Sequence, residues 1–315
     1  MSTSGGKELR GITVRDAASD TRAPGIDAAR ARARDDVASE RWCHLILRRC
    51  GLAFRDVQIP AVLDLVLEQM RLRGLTSQSS YYELLSSEPE GGLEWTALVE
   101  RLLNHETSFF RHIPSFDALR TVLLPELRIH ARARRRPLNL WSAGCSTGQE
   151  AYSLAMLAMT DEELAGEFTV WGGDISRRSV DVARVGRYGP RAIASIPPEY
   201  RRRFLREVRG TPTQEFQIAD ELRQRVRFMA VNLFAACAIG LNHDVIFCHN
   251  VLIYLAPAAA TRLVSLLASR LEPGGYLLLG PGEGSSEHPP GLDVVKLNGV
   301  RAFRRSGQRT TEARP

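Results

Sequence analysis

Three stretches of this chain bring together residue types whose spacing can do chemistry. The first is Trp141-Ser-Ala-Gly144-Cys-Ser-Thr-Gly148-Gln149-Glu150. Glycines at 144 and 148 let the backbone turn tightly and let a ligand approach it closely. The spacing is Gly-x-x-x-Gly rather than Gly-x-Gly-x-x-Gly, and a loop of this kind also serves as a plain structural turn. The second is Asp174, 24 residues after Glu150, at the end of an apolar run. An acidic side chain there accepts both hydroxyls of a ribose. The same Asp also suits a helix N-cap, a role for which Ser176 competes. Loop and acid together favour a ligand that carries a nucleoside. The third stretch runs from Asp244 through Phe247, His249 and Asn250 to Tyr254, an apolar run that ends in polar groups.

Positioning these groups requires a sheet whose strands all end on one side. Leu138–Ala143 reads as a buried strand, then the glycine turn, then a helix from Glu150. Phe168–Gly173, Val226–Val231, Asp244–Cys248 and Tyr276–Leu279 read as further strands. Ser176–Gly186 and Pro257–Leu271 read as helices between them. Strands alternating with helices predict an open, mostly parallel α/β sheet. Val294–Leu297 and Val300–Arg304 flank Asn298-Gly299, a hairpin signal. A terminal hairpin after a parallel sheet is unusual for dinucleotide-binding domains and usual for methyltransferases that use S-adenosylmethionine. An insertion spans 188–224, with Tyr200–Arg209 helical and Glu215–Leu222 a small strand pair. Ahead of the sheet, apolar residues recur at helical spacing around Trp42–Cys50, Val62–Met70, Tyr81–Leu85 and Leu93–Leu103. Ile113–Ala131 reads as one amphipathic connector, and the basic run Arg132–Arg136 suits the C-terminal end of its helix. The expected organisation is a solvated, partly disordered tail at 1–38, in which Ala28–Asp36 could form a short helix, then a helical domain at 39–112, a connecting helix at 113–136, the α/β domain at 137–306 and a tail at 307–315.

Composition narrows the class. The chain has 315 residues, 44% hydrophobic and 25% charged, which excludes a fibrous or wholly disordered protein. No apolar run reaches the ~18–20 residues of a membrane span. The polar start MSTSGGKELRG has no signal-peptide core. Five widely spaced cysteines without a CxxC pair argue against a disulfide framework or a zinc site. A cytoplasmic protein with no metal is therefore expected. The net charge of +6 is a mild prior for an acidic partner.

The ordered set His105-Glu-Thr107-Ser-Phe-Phe-Arg111, Trp141-Ser-Ala with Ser-Thr-Gly148-Gln-Glu150 and Tyr152-Ser, Gly173-Asp174-Ile-Ser, Val231-Asn232-Leu233 and Phe247-Cys-His-Asn250-Val-Leu-Ile-Tyr254 resembles one family, over roughly residues 40–305. It is that of the chemotaxis receptor methyltransferases, which transfer a methyl group from S-adenosylmethionine to receptor glutamates. The resemblance implies a Rossmann-like α/β methyltransferase sheet with a terminal antiparallel hairpin, a small N-terminal helical domain and a small inserted β-subdomain. It implies cofactor contacts at His105, Thr107, Arg111, Glu150, Asp174, Asn232, Leu233, His249 and Asn250, and a methyl-transfer site at Arg111 and Tyr254. The sequence departs from the family at His105 (usually Asn), at Gln149-Glu150-Ala151 (usually Glu-Glu-Pro), at His249 (usually Arg) and at Gly280-Pro-Gly-Glu283 (usually Gly-His-Ser-Glu). The Asp/Asn-Pro-Pro-Tyr ending with which DNA amine methyltransferases grip an amino group is absent, which counts against nucleic acid as substrate.

A glutamate side chain has a reference pKa of about 4.3, so it arrives as a carboxylate and needs no general base. The resemblance implies acidic, glutamate-bearing cytoplasmic receptor helices as the partner, and S-adenosylhomocysteine as the cofactor product. Arg48, Arg49, Arg71 and Arg73 are candidate docking charges, or simply a solvated helix face. The short turn around Gly210–Gln214 argues against tethering by a receptor peptide.

Overall fold

Helices come first, and the early sequence supplies side-chain caps to two of them. The computed structural model describes residues 39–89, 92–164, 167–235, 241–284 and 291–306; the two expected tails and the helix at Ala28–Asp36 lie outside them. α1 (39–50), α2 (Ile59–Leu72), α3 (Gln78–Ser87) and α4 (Leu93–Leu102) form the N-terminal unit. Ser77 caps α3 by accepting the Ser80 amide, and the Glu88 carboxylate caps α4 by accepting the amides of Glu94 and Trp95 at 3.1 and 2.7 Å. One core holds Trp42, Ile46, Val66, Tyr81, Leu85 and Leu98.

Two of the four candidate docking arginines are consumed here. Arg49 donates to the carbonyls of Leu85 and Glu88 and lies over the Trp95 ring. Arg73 pairs with Glu94, a buried carboxylate that also accepts from Tyr81 and Gln69. A buried charge demands partners, and Arg73 supplies one to Glu94. Arg48 and Arg71 remain exposed.

α5 (Ile113–Ala118) runs through a π turn (Leu119–Leu123) into α6 (Leu124–Ala133). The π turn sits just ahead of Pro125, which has no amide to give to an ordinary helical bond. This stack is no free connector. Phe116, Leu119, Leu123 and Leu127 share one core with Leu140, Leu154 and Phe247, so it forms a layer on the sheet. Nor does the basic run only complement the end of a helix. Arg132 pairs with Glu163 and Arg134 with Glu272. Arg136 holds the buried Asp244 through two bonds of 2.8 and 2.6 Å. These pairs pin the end of α6 to the base of the sheet.

The remaining elements are β1 (Leu138–Ala143), α7 (Gln149–Thr160), β2 (Phe168–Asp174), α8 (Arg177–Val185), β3 (Arg187–Tyr188), α9 (Pro190–Ile193), α10 (Pro198–Phe204), β4 (Leu205–Val208), β5 (Glu215–Ile218), α11 (Asp220–Arg223), β6 (Val226–Ala230), β7 (His243–Cys248), a 3-10 turn (Leu252–Tyr254), α12 (Pro257–Ser269), β8 (Leu271–Leu279), β9 (Leu292–Leu297) and β10 (Val300–Arg305). The seven-stranded sheet has the order β6-β2-β1-β7-β8-β10-β9, parallel up to β8 and antiparallel beyond. Neighbouring residues serve opposite faces. Val245 and Phe247 join the core under α7, while Ile246 and Cys248 join the core under α12. Asn298 and Gly299 both have positive φ (48° and 87°), as a two-residue hairpin turn of the right twist requires.

The insertion differs from the reading of its sequence. Its helix stops at Phe204, and Leu205–Val208 is a strand. Glu215–Ile218 is a single strand, paired antiparallel to both β4 and β3, and a short helix follows at Asp220–Arg223. The partner strand outweighs local helical preference at Leu205–Val208, because pairing is decided across the sheet rather than along the chain. Among the described residues, no helix is long and apolar enough to cross a membrane.

Candidate functional site

Strand order reverses between β1 and β7, and that is where such a sheet opens a crevice at its carboxyl ends. The glycine turn lies there. The amides of Gly144 and Cys145 donate to the Gly173 carbonyl at 2.8 and 3.0 Å, folding the turn over the end of β2. Gly144 has φ +85°, and a Cβ there would lie 2.3 Å from Val251 Cγ2. Gly148, at φ +96°, is the residue from which α7 starts. The requirement for glycine is therefore real at both positions.

Asp174 is 9% exposed. Its Oδ2 accepts the Ser146 amide at 2.8 Å and its Oδ1 the Ser176 amide at 2.9 Å. Burial pushes its pKa up, against the pull of those amides. The cap of α8 is Ser176, whose Oγ accepts the Ser179 amide. Asp174 is thus not spent as a cap, and each oxygen keeps acceptor capacity on the cleft it lines.

The loop between α4 and α5 closes one side. Phe109 packs edge-on to Tyr188 and Phe110 stacks on Tyr200, both buried. The Phe110 amide donates to Ser153 Oγ. This anchoring leaves Arg111 exposed, with one of its five donors on the Glu106 carbonyl at 2.9 Å. His105 is differently employed. Its ring nitrogens lie 3.1 Å from the Glu100 carbonyl and 3.1 Å from Ser179 Oγ, and its own carbonyl accepts Ser146 Oγ. Its ring joins α4 to α8, and its main chain lies against the glycine turn.

At the end of β7, His249 is buried among Phe247 and His112, with ring centroids 4.8 and 5.9 Å away. His249 Nδ1 is 3.0 Å from Glu150 Oε2, but off the direction of a hydrogen bond, so neither ring nitrogen has a bonded partner. Ser142 Oγ donates to the other Glu150 oxygen at 2.7 Å. Asn250 has φ +58°, which asparagine tolerates better than most residues. Tyr254 closes a 3-10 turn, half-buried against the N-terminal helical core. The carbonyl of Tyr254 accepts the Ala53 amide, and the Ala256 amide donates to Gly51. Asn232 donates to the Arg49 carbonyl and accepts from the Phe234 amide.

All ten residues singled out in the sequence line one cleft of about 1050 Å³. The N-terminal unit adds Cys50, Leu52 and Leu103 to its wall, which no sequence signal marked. Burial lifts the Cys50 thiol to about 12, so it lines the cleft as an apolar group. Glu283 was visible in the sequence only as part of an irregular strand end, yet its carboxylate holds the turn that carries Asn250 and Tyr254.

A family model described as "CheR methyltransferase, SAM binding domain" matches residues 105–299. A chemotaxis protein methyltransferase of Klebsiella aerogenes is 32% identical over 256 residues, covering 80% of this chain and 84% of the relative. One of Escherichia coli is 32% identical over 258 residues, covering 81% and 86%. A probable biofilm formation methyltransferase of Pseudomonas aeruginosa is 30% identical over 280 residues, covering 88% of this chain and 64% of the relative.

Proposed function

The chain belongs to the CheR methyltransferase family, and from that membership we propose that it methylates the side-chain carboxylates of glutamates on chemoreceptor helices, giving methyl esters and S-adenosylhomocysteine. When bound, S-adenosylmethionine supplies an electrophilic methyl group on a sulfonium. The observation that carries the reading is convergence: six separated segments meet at one cleft, with Arg111 and Tyr254 both on it.

The residues present fit that cofactor. The glycine turn lines the cleft with Gly144 and Ser146, and its close packing on Val251 needs a residue without a Cβ at 144. Asp174 has spare acceptor capacity for two ribose hydroxyls, and the buried His249 ring lacks hydrogen-bond partners. Leu233 and Phe234 offer apolar surface on the same wall. Thr107, Asn232 and Asn250 supply short polar groups around it.

The chain's work in the reaction is positioning. An ionised glutamate already has its nucleophilic lone pair, so a base is unnecessary. Holding carboxylate, methyl and sulfur in line is worth roughly 7–11 kcal/mol in favourable cases. Arg111 orients the carboxylate through its fork of donors, and Tyr254 adds one hydroxyl. Grip from these groups must stay moderate, since full neutralisation would blunt the nucleophile.

The partner is proposed to be an acidic receptor helix, and the exposed Arg48 and Arg71 are the docking charges left on the N-terminal unit. The test is incubation of the protein with receptor-bearing membranes and methyl-labelled S-adenosylmethionine. Label released as methanol by mild base marks an ester; base-stable label rejects glutamate as the acceptor.

A further inference from the structure

We propose that Glu283 is a positioning residue for methyl transfer, setting the turn that presents Tyr254 without itself touching substrate or cofactor; this rests on the function proposed above. Glu283 lies just past β8 and is 9% exposed. It is not one of the side chains lining the cleft. Its Oε2 accepts the amides of Asn250 at 2.7 Å and Gly280 at 3.0 Å, and its Oε1 accepts the amide of Ile253 at 3.1 Å. One buried anion thus serves three backbone donors, and buried donors left without an acceptor are costly.

The bonds are placed with a consequence. They tie the end of β8 to both ends of the Asn250–Ile253 turn. Asn250 is held in the left-handed region, and Ile253 immediately precedes Tyr254. The approach is possible only because residue 280 is glycine. A Cβ there would lie 2.3 Å from Glu283 Oε2 and 3.0 Å from the Asn250 amide. Gly280 and Glu283 therefore work as a pair.

A neutral isostere separates positioning from bulk stability. Glutamine offers one acceptor oxygen. Its better orientation keeps the two bonds at Oε2 and turns an NH2 group against the Ile253 amide. The turn is then loosened at its Tyr254 end and stays held at Asn250. Glu283→Gln should therefore lower kcat by about 10- to 100-fold, the scale of a misplacement of about 1 Å, while affinity for S-adenosylhomocysteine changes by less than about threefold.

The experiment measures receptor methylation and S-adenosylhomocysteine affinity for wild type, Glu283→Gln, Tyr254→Phe and the double variant. If Glu283 acts through the tyrosine, Glu283→Gln costs little further turnover in the Tyr254→Phe background. Wild-type kcat in Glu283→Gln, or losses that multiply in full in the double variant, overturn the proposal. If Glu283→Gln does not fold, Glu283→Asp, which keeps the charge but retracts it, is read against Tyr254→Phe by the same two outcomes. A wild-type protein that forms no base-labile ester overturns the glutamate reading instead, a result distinct from an active wild type with an indifferent Glu283.

Discussion

Burial works against the charge of Asp174, yet two backbone amides converge on its carboxylate. Such a group is costly to the fold and useful to a ligand with paired hydroxyls. Replacing it by alanine should weaken S-adenosylhomocysteine binding by about 2–4 kcal/mol, since hydrogen bonds to a charged group are worth about 1.5–3 kcal/mol each. Calorimetric titration reads this directly, and an unchanged affinity removes Asp174 from the ribose. His243 shows the opposite bargain. It sits at the start of β7 with Nδ1 unbonded, and burial lowers its imidazole from 6.5 to about 4, with Arg270 adding to the fall and Asp244 opposing it. The folded pKa lies below the unfolded one. The favourable balance is intact above pH 6.5 and is lost as pH falls towards 4, because the unfolded chain takes a proton that the folded chain refuses. The loss should reach roughly 3 kcal/mol. Unfolding free energy measured from pH 4 to 6.5 should fall less steeply in His243→Leu than in wild type; identical slopes would mean that this ring does not titrate with folding.

Among elements, α8 borrows part of its N-terminus from another unit. Glu100 at the end of α4 accepts the Arg178 amide at 2.8 Å and the Ser176 hydroxyl at 3.3 Å. A carboxylate is favoured at this end of a helix. Glu100→Ala should cost about 1 kcal/mol of stability, the usual worth of a cap. It should also weaken S-adenosylhomocysteine binding several-fold, because Ser176 is bonded to Asp174. Melting temperature and ligand titration on the same sample check both halves. A lower melting temperature with wild-type affinity would confine Glu100 to holding the helix.

For the whole molecule, the N-terminal unit closes the cleft as well as packing beside it. Cys50, Leu52 and Leu103 line the cleft, Leu52 bridges to Leu255, and Asn232 bonds to Arg49. Residues 113–133 belong with the sheet, since they share its core. A fragment beginning at Pro137 would therefore lose a layer of that core, whereas one spanning 105–306 keeps it. The longer fragment should unfold cooperatively but bind S-adenosylhomocysteine at least about tenfold more weakly, a loss of ~1.4 kcal/mol. Binding as tight as in the full chain would show that the N-terminal wall contributes nothing.

The central strands of the large sheet and the terminal hairpin were legible in the sequence; the small inserted sheet was not. Short apolar runs between turn and helix signals mark β1, β2 and β7, and Asn298-Gly299 marks the last turn, because these signals are local. The glycine turn and Asp174 were legible from their own residue types, and the other cleft residues from His105 to Tyr254 through the resemblance of short contiguous motifs to one family. What lies between distant segments was decided by the tertiary structure. Arg49 and Arg73 look like free surface charges until Glu94 and the α3 carbonyls are brought against them. Arg132–Arg136 look like a helix end until Asp244 and Glu272 arrive from the sheet. Leu205–Val208 is a strand only because Glu215–Ile218 lies beside it. The three amides that Glu283 accepts come from two separate stretches, one of them about thirty residues upstream, so its place behind Tyr254 exists only once β7 and β8 pair. Burial and pairing are properties of the folded neighbourhood, and no residue carries them alone.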